Sequence, residues 1–194
     1  MGFTSILIFV VIFIFIISLL RKGLKLFFKL ILILALAFAA FLYFPQIHET
    51  VTIWRLPSTN LSELSIAGLQ IGDKLTAAML SDLGNQTQDP VKIAGNTKHF
   101  YPDFSVTLDS NDKIVQLIAF SRDAAETFLF THPEIHMMSH INSIFGPNYG
   151  NITYNREQST AAYLYVDKVH DLKFKAVYHT FDSTEIIFLV LESK

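Results

Sequence analysis

The sequence contains no cysteine and only eight glycines among its 194 residues. Without a thiol, the chain can form no disulfide, offers no cysteine nucleophile and has no cysteine for lipid attachment. The few glycines form neither a phosphate-binding loop nor a dinucleotide-binding loop, and there is no Gly-x-Ser-x-Gly segment. We therefore expect a non-enzymatic protein with no catalytic residue, no metal ion and no cofactor.

Acidic residues are missing from the first 44 positions, which hold four basic side chains: Arg21, Lys22, Lys25 and Lys29. All 17 acidic residues therefore lie in residues 45–194, which are net negative. An acidic domain repels polyanions, so we expect no nucleic-acid partner. The hydrophobic content of 51% also excludes a disordered chain.

Two long apolar runs, residues 3–20 and 26–44, flank a short basic stretch. Each is long enough to cross a bilayer as a helix. The sequence therefore predicts a transmembrane helical hairpin over residues 1–44, with the lipid bilayer as partner through residues 3–44 and Pro45 ending the second helix. A basic loop on the cytoplasmic side would place the C-terminal domain outside the cytoplasm, in a multi-pass protein of the cell membrane.

A signal peptide over residues 1–39 is the alternative to the hairpin. Small residues at the spacing of a cleavage site occur in Ala35-Leu36-Ala37 and again in Ala37-Phe38-Ala39. A full apolar run before the basic residues favours the uncleaved hairpin, because a signal peptide has its basic residues first. The absence of cysteine fits a bacterial envelope better than a eukaryotic secretory route.

The remainder of the chain is predicted as a stalk over residues 45–64, with extended character at 51–54, and an α+β domain over residues 65–194. The domain is expected to comprise two helix-then-meander units, about 65–122 and 131–194. In the first unit, Asp73 is a predicted N-cap and Gly84 a predicted C-cap. Between the helix and a hairpin we expect a polar loop. The hairpin strands are expected at 104–108 and 114–120.

The second unit is predicted to begin with a helix near residues 132–145, after the capping-box spacing of Thr131 and Glu134. Predicted strands follow at 162–166, 172–178 and 186–191. The helical periodicity of the two units predicts that Met79 and Ile141 are buried. The expected fold is an antiparallel sheet with two helices.

The run Gly68-Leu69-Gln70-Ile71-Gly72-Asp73, followed by a short helix, Leu83-Gly84 and a β-meander, resembles small bacterial envelope domains. It is similar to the CAP-associated N-terminal domains of Gram-positive proteins and, more distantly, to SmpA/BamE-like modules. The resemblance covers residues 64–194 as two tandem copies. It implies a non-enzymatic envelope domain whose antiparallel sheet carries helices on one side, and it transfers no functional residue to this chain.

His132, His136 and His140 stand four residues apart, which on a helix places three imidazoles on one face. The pattern departs from His-Glu-x-x-His, since Pro133 follows the first histidine. A solvated helix face is the favoured interpretation, and a transition-metal or pH-sensing site is the alternative.

Two further groups of residues invite a functional interpretation. Asp109, Asn111 and Asp112 suggest a calcium loop, but Lys113 occupies a ligand position, so a hairpin turn is favoured. Tyr163 and Tyr165 share one face of a predicted strand; core packing is favoured over an exposed binding stripe.

The expected function is a membrane-anchored, extracytoplasmic binding or scaffolding module of the bacterial cell envelope, whose partner is another envelope protein. One alternative is a metal- or pH-responsive sensor or enzyme that uses the histidine face. Another is a regulatory subunit of a membrane complex that acts through the hairpin. The sequence does not define the oligomeric state.

Overall fold

A computed structural model describes residues 10–17, 24–120, 129–132, 135 and 137–194. The chain divides into two compact units, residues 1–47 and 48–194. The second unit contains an eight-stranded antiparallel sheet with the order β1-β2-β3-β4-β8-β7-β6-β5. The α+β part of the fold prediction is therefore correct.

The strands are β1 (Gln88–Ile93), β2 (Asn96–Phe100), β3 (Phe104–Leu108), β4 (Ile114–Phe120), β5 (Gly150–Asn155), β6 (Thr160–Asp167), β7 (Leu172–His179) and β8 (Phe188–Ser193). Three helices carry labels, α1 (Leu24–Arg55), α2 (Ala77–Asp82) and α3 (Met138–Phe145), and residues 10–17 are also helical. Each half of the sheet is a four-stranded meander preceded by a short helix. The last strands of the two meanders, β4 and β8, pair with each other.

The predicted transmembrane hairpin is wrong. A helix needs about 20 consecutive apolar residues to span a bilayer. Among the described residues, no helix combines the length and the apolar character that a crossing requires. The predicted localisation, a multi-pass membrane protein with an extracytoplasmic C-terminal domain, is overturned by the same finding.

Helix α1 also corrects the predicted stalk. Pro45 does not end the helix, which continues to Arg55 and includes the 51–54 segment predicted as extended. Within that segment, Ile53 packs against an apolar cluster on the sheet, whereas Val51 is exposed. Tertiary packing therefore outweighs the local strand preference.

The two faces of the sheet differ in what covers them. The larger core lies on one face and includes Leu75 from the segment before the first meander, Phe130 from the segment between the meanders, and Ile141 from α3. On the opposite face, a smaller cluster includes Ile152 and Leu164, and Ile53 and Leu56 pack against it. We name these the α3 face and the α1 face.

Both predicted helices begin later than the sequence indicates. The first begins after Thr76, whose hydroxyl accepts the N–H of Met79, whereas the Asp73 carboxylate accepts the N–H of Gln70 in a preceding turn. Met79 is 45% exposed, so its predicted burial is wrong, while the predicted burial of Ile141 is confirmed. Six residues give α2 too few turns to bury a continuous apolar stripe.

The predicted hairpin is confirmed as β3 and β4, and the three later strands as β6, β7 and β8. Three strands were not predicted, namely β1, β2 and β5. The segment expected to be a polar loop forms the β1–β2 hairpin, which turns at Ala94 and Gly95 with positive φ angles of 50° and 87°. A two-residue turn normally carries Asn-Gly or Asp-Gly, so Ala-Gly gives little signal.

Candidate functional site

The three histidines do not form one helix face. Helix α3 begins at Met138, so His132 precedes it by six residues, whereas His140 lies on it. The ring of His132 instead contacts the edges of Phe130 and Phe145, each at a centroid distance of 6.0 Å. His136 lies outside the described residues. The stacked arrangement expected from the spacing is therefore wrong.

The acidic turn after β3 is a hairpin turn, as the sequence favours. One carboxylate oxygen of Asp109 accepts the N–H groups of Asn111 and Lys113 at 2.8 and 2.9 Å. These hydrogen bonds lower the pKa of Asp109. One of its two carboxylate oxygens is thus engaged within the loop. Within the part of the chain that the structure describes, no group of three or more His, Cys, Asp or Glu side chains could hold a metal ion.

The sheet has two edges, and they differ in chemistry. Strand β1 contains Pro90, the charged residues Asp89 and Lys92, and a register shift between Gln88 and Val91. Proline, charge and a bulge are the devices by which natural sheets prevent an edge from pairing with another chain. The β1 edge is therefore protected.

The opposite edge, β5, contains neither proline nor a charged residue. Its Gly150–Thr153 portion pairs regularly with β6, before a register shift that precedes Asn155. Among the described residues, the backbone of Gly150–Thr153 makes hydrogen bonds with β6 alone. An edge strand leaves alternate N–H and C=O groups unpaired, so β5 offers a template for a further strand.

The neighbouring part of the same edge is already covered. The N–H of Thr59 donates to the carbonyl of Val166 at 2.8 Å, and the N–H of Leu61 donates to the Asp167 carboxylate at 2.9 Å. The segment after α1 therefore covers the end of β6 that extends beyond β5. This protection stops where β5 begins.

Beside β5, on the α3 face, tyrosine side chains form a cluster of Tyr149, Tyr163 and Tyr178. The rings of Tyr149 and Tyr163 stack at 3.9 Å, and Tyr178 meets Tyr163 edge to face at 5.4 Å. A hydrogen bond with Tyr149, together with burial, raises the pKa of Tyr163 to about 12. The Tyr178 hydroxyl donates to Asn151 Oδ1 at 3.1 Å, which ties this cluster to the exposed side of β5.

Tyr165 differs from its neighbour Tyr163 in exposure. Its side chain is fully buried, and its hydroxyl donates to the Gly146 carbonyl at 2.9 Å. The predicted core role is thus correct for Tyr165, whereas Tyr163 is half-buried at the edge of the tyrosine cluster. Sequence periodicity predicts that both tyrosines lie on one face of the strand. How far each one lies from the sheet edge depends on the tertiary structure.

On the α1 face, β5 is supported by the end of α1. A Cβ added to Gly150 would collide with Cγ2 of Thr52, so glycine permits this close approach. Ile152 is buried at 3% exposure, and Tyr154 contacts the Phe188 ring at 5.3 Å. These contacts on the α1 face therefore hold β5 in place and leave its outer edge open.

A network of four charged side chains ties α1 to the sheet on the same face. Lys175 Nζ lies 2.9 Å from both Glu49 Oε1 and Glu192 Oε1, and Lys173 Nζ lies 3.0 Å from Glu192. Gln116 donates a further hydrogen bond to Glu192 at 2.9 Å. Burial alone raises the pKa of Glu192, but the lysines outweigh burial and lower it. The network balances two cations against two anions.

Sequence reasoning missed the β5 edge. Its segment, Gly-Asn-Ile-Thr-Tyr-Asn, does alternate in polarity, but it follows a Gly-Pro helix end and reads as loop. Comparisons with protein-family models, with curated proteins and with solved structures found no match to this chain. Over the residues that the structure describes, the fold is that of an α+β protein in which one edge of the antiparallel sheet, β5, is open.

Proposed function

We propose that this protein is a non-enzymatic binding module that takes up an extended segment of a partner polypeptide as a ninth strand along β5. The observation that carries the proposal is the contrast between the two edges. The β1 edge is protected by Pro90, charge and a bulge, whereas β5 is neutral, regular over Gly150–Thr153 and free along its outer side in the described part of the chain.

The side chains of β5 indicate the chemistry of the partner. Asn151 and Thr153 are exposed on the α3 face, while Ile152 is buried on the α1 face. A paired strand places its own side chains next to these on the same faces. The partner segment is therefore uncharged and alternates polar residues, beside Asn151 and Thr153, with apolar residues beside Ile152.

Strand addition draws its affinity from main-chain hydrogen bonds, so a generic probe tests it. The probe is an uncharged peptide of alternating threonine and valine, and the control carries N-methyl groups on alternate amides. With full-length protein, we expect saturable binding of the first peptide and slower amide exchange at alternate residues of 150–153. The N-methylated peptide lacks donors and should bind at least tenfold more weakly.

A lysine placed on each edge provides matched variants. Thr153→Lys adds a charge to the exposed side of β5, and we expect at least a fivefold loss of peptide affinity. Val91→Lys adds the same charge to the exposed β1 and should leave affinity within twofold. Binding that is unaffected by Thr153→Lys, exchange protection located at β1, or the absence of saturable binding would contradict the proposal.

A further inference from the structure

A groove of about 330 Å³ lies on the α1 face, at the end of the sheet opposite to β5. It is bounded by the β1–β2 turn on one side and by β4 and β8 on the other. Its size is that of small-ligand sites in proteins. Strand β5 contributes no residue to the groove, so a ligand bound there does not depend on strand addition at β5.

One row of polar side chains crosses the floor of the groove. Lys98 pairs with Thr107, Thr107 with Gln116, and Gln116 with Glu192, each on the next strand of the sheet. Residues paired in this way point to the same face, about 5 Å apart from strand to strand. The row therefore presents four polar groups to one cavity.

The two charged residues of this row, Lys98 and Glu192, differ in whether oppositely charged side chains neutralise them. Glu192 is already satisfied by two lysines and by Gln116. No carboxylate within the described ranges lies within 4 Å of Lys98 Nζ, which is instead placed over the Phe100 ring at 5.3 Å. Burial lowers the pKa of Lys98. Among the described residues that line the groove, Lys98 is therefore a half-buried cation with no carboxylate partner.

Two neutral groups beside Lys98 are also available to a ligand. The Thr107 hydroxyl and the Asn96 amide each make no hydrogen bond to any residue that the structure describes. Both can donate to an oxygen anion. The apolar part of the lining comes from Ile93, Ala94 and Val115, and the polar residues Gln116, Glu192 and Ser193 complete it.

We propose that this groove binds a small carboxylate ligand with an apolar body, its carboxylate held by Lys98, Thr107 and Asn96. A carboxylate matches the single positive charge and accepts from several donors at once. The apolar body lies against Ile93 and Val115.

Butyrate tests the proposal in the full-length protein, with binding followed by amide chemical shifts at constant ionic strength. We expect saturable shifts at residues 96–98, 107 and 116, and weaker binding of acetate, which lacks the apolar body. Butylamine has a similar body with the opposite charge and should not bind. Phosphate binding as tightly as butyrate would overturn the assignment of ligand class.

Substitutions assign the binding to the groove. Lys98→Met keeps the apolar stem without the charge and should weaken butyrate at least tenfold, and Thr107→Val should weaken it about threefold. Lys92→Met, on the other face of the same hairpin, should leave affinity within twofold. An unchanged amide spectrum elsewhere shows that each variant folds. Wild-type affinity in Lys98→Met, or shifts that never saturate, would refute the proposal.

Discussion

The Asp167 side chain fixes the segment that follows α1 to the end of β6 through hydrogen bonds. It is 1% exposed, and its Oδ2 accepts the N–H of Leu61 and contacts the His170 ring at 2.8 Å. Its Oδ1 accepts the N–H groups of Val169 and His170. Burial by itself raises the pKa of Asp167, but these hydrogen bonds outweigh it and lower the pKa to about 2.

We predict that Asp167→Asn lowers the free energy of unfolding at pH 7 by about 2 kcal/mol, because an amide donor then replaces an acceptor. A carboxylate with a depressed pKa stabilises the fold above the unfolded value of 3.8, and this stabilisation is lost as the pH falls toward 2. Denaturant unfolding at pH 7 and pH 3 measures both effects.

The exposed neighbour Asp171 supplies the control, since Asn tolerates its positive φ of 54°. Asp171→Asn should change stability by less than about 0.5 kcal/mol at either pH. A difference between wild type and Asp167→Asn that is the same at pH 3 as at pH 7 would show that the carboxylate charge contributes nothing.

At the scale of elements, the two short helices differ in how deeply they are packed. Helix α3 buries Met138 and Ile141 in the larger core, whereas α2 contains no buried residue. The sequence predicted one inward face for each. Periodicity identifies which side of a helix is apolar, but the depth of burial depends on what lies beneath it.

We predict that Ile141→Asp destabilises the protein by several kcal/mol, because it buries an unpaired charge. Met79→Asp is the matched substitution on α2, and because Met79 is 45% exposed we expect a change below about 1 kcal/mol. Thermal unfolding followed by circular dichroism compares the two. Equal losses in both variants would show that the contrast in burial is wrong.

For the folded unit of residues 48–194, the sheet is the element that joins the two meanders. They meet at the pairing of β4 with β8, where Leu117 is opposite Leu191, and Leu191 is opposite Phe174 on β7. All three side chains are fully buried in the larger core. Because both meanders contribute to one core, they should unfold together.

Leu191→Ala tests this cooperativity, since the cavity it leaves should cost about 2 to 5 kcal/mol. We expect amide exchange in β3 and in β6 to accelerate by the same factor, because both strands then exchange through the same global unfolding. Faster exchange in one meander alone would show that the halves unfold separately.

Local patterns in the sequence were sufficient to predict the elements whose signal lies within a few residues. Alternating apolar residues and an Asp-rich turn defined β3 and β4, and the central strands β6 and β7 were found because buried strands are rich in apolar residues. Hydropathy also identified two apolar runs in residues 1–44. Their predicted role as transmembrane helices was wrong, because the number of apolar residues in a run does not determine the length and apolar character of the helix that forms.

Tertiary structure decided the features on which both proposals depend. That β5 lies at an edge follows from the pairing of β4 with β8, which are 68 residues apart from Phe120 to Phe188 and carry no local signal of it. Lys98 and Glu192 share one groove for the same reason. Local propensity acts over a few residues, whereas strand order and edge position arise from long-range pairing and burial, so they became visible only in the folded chain.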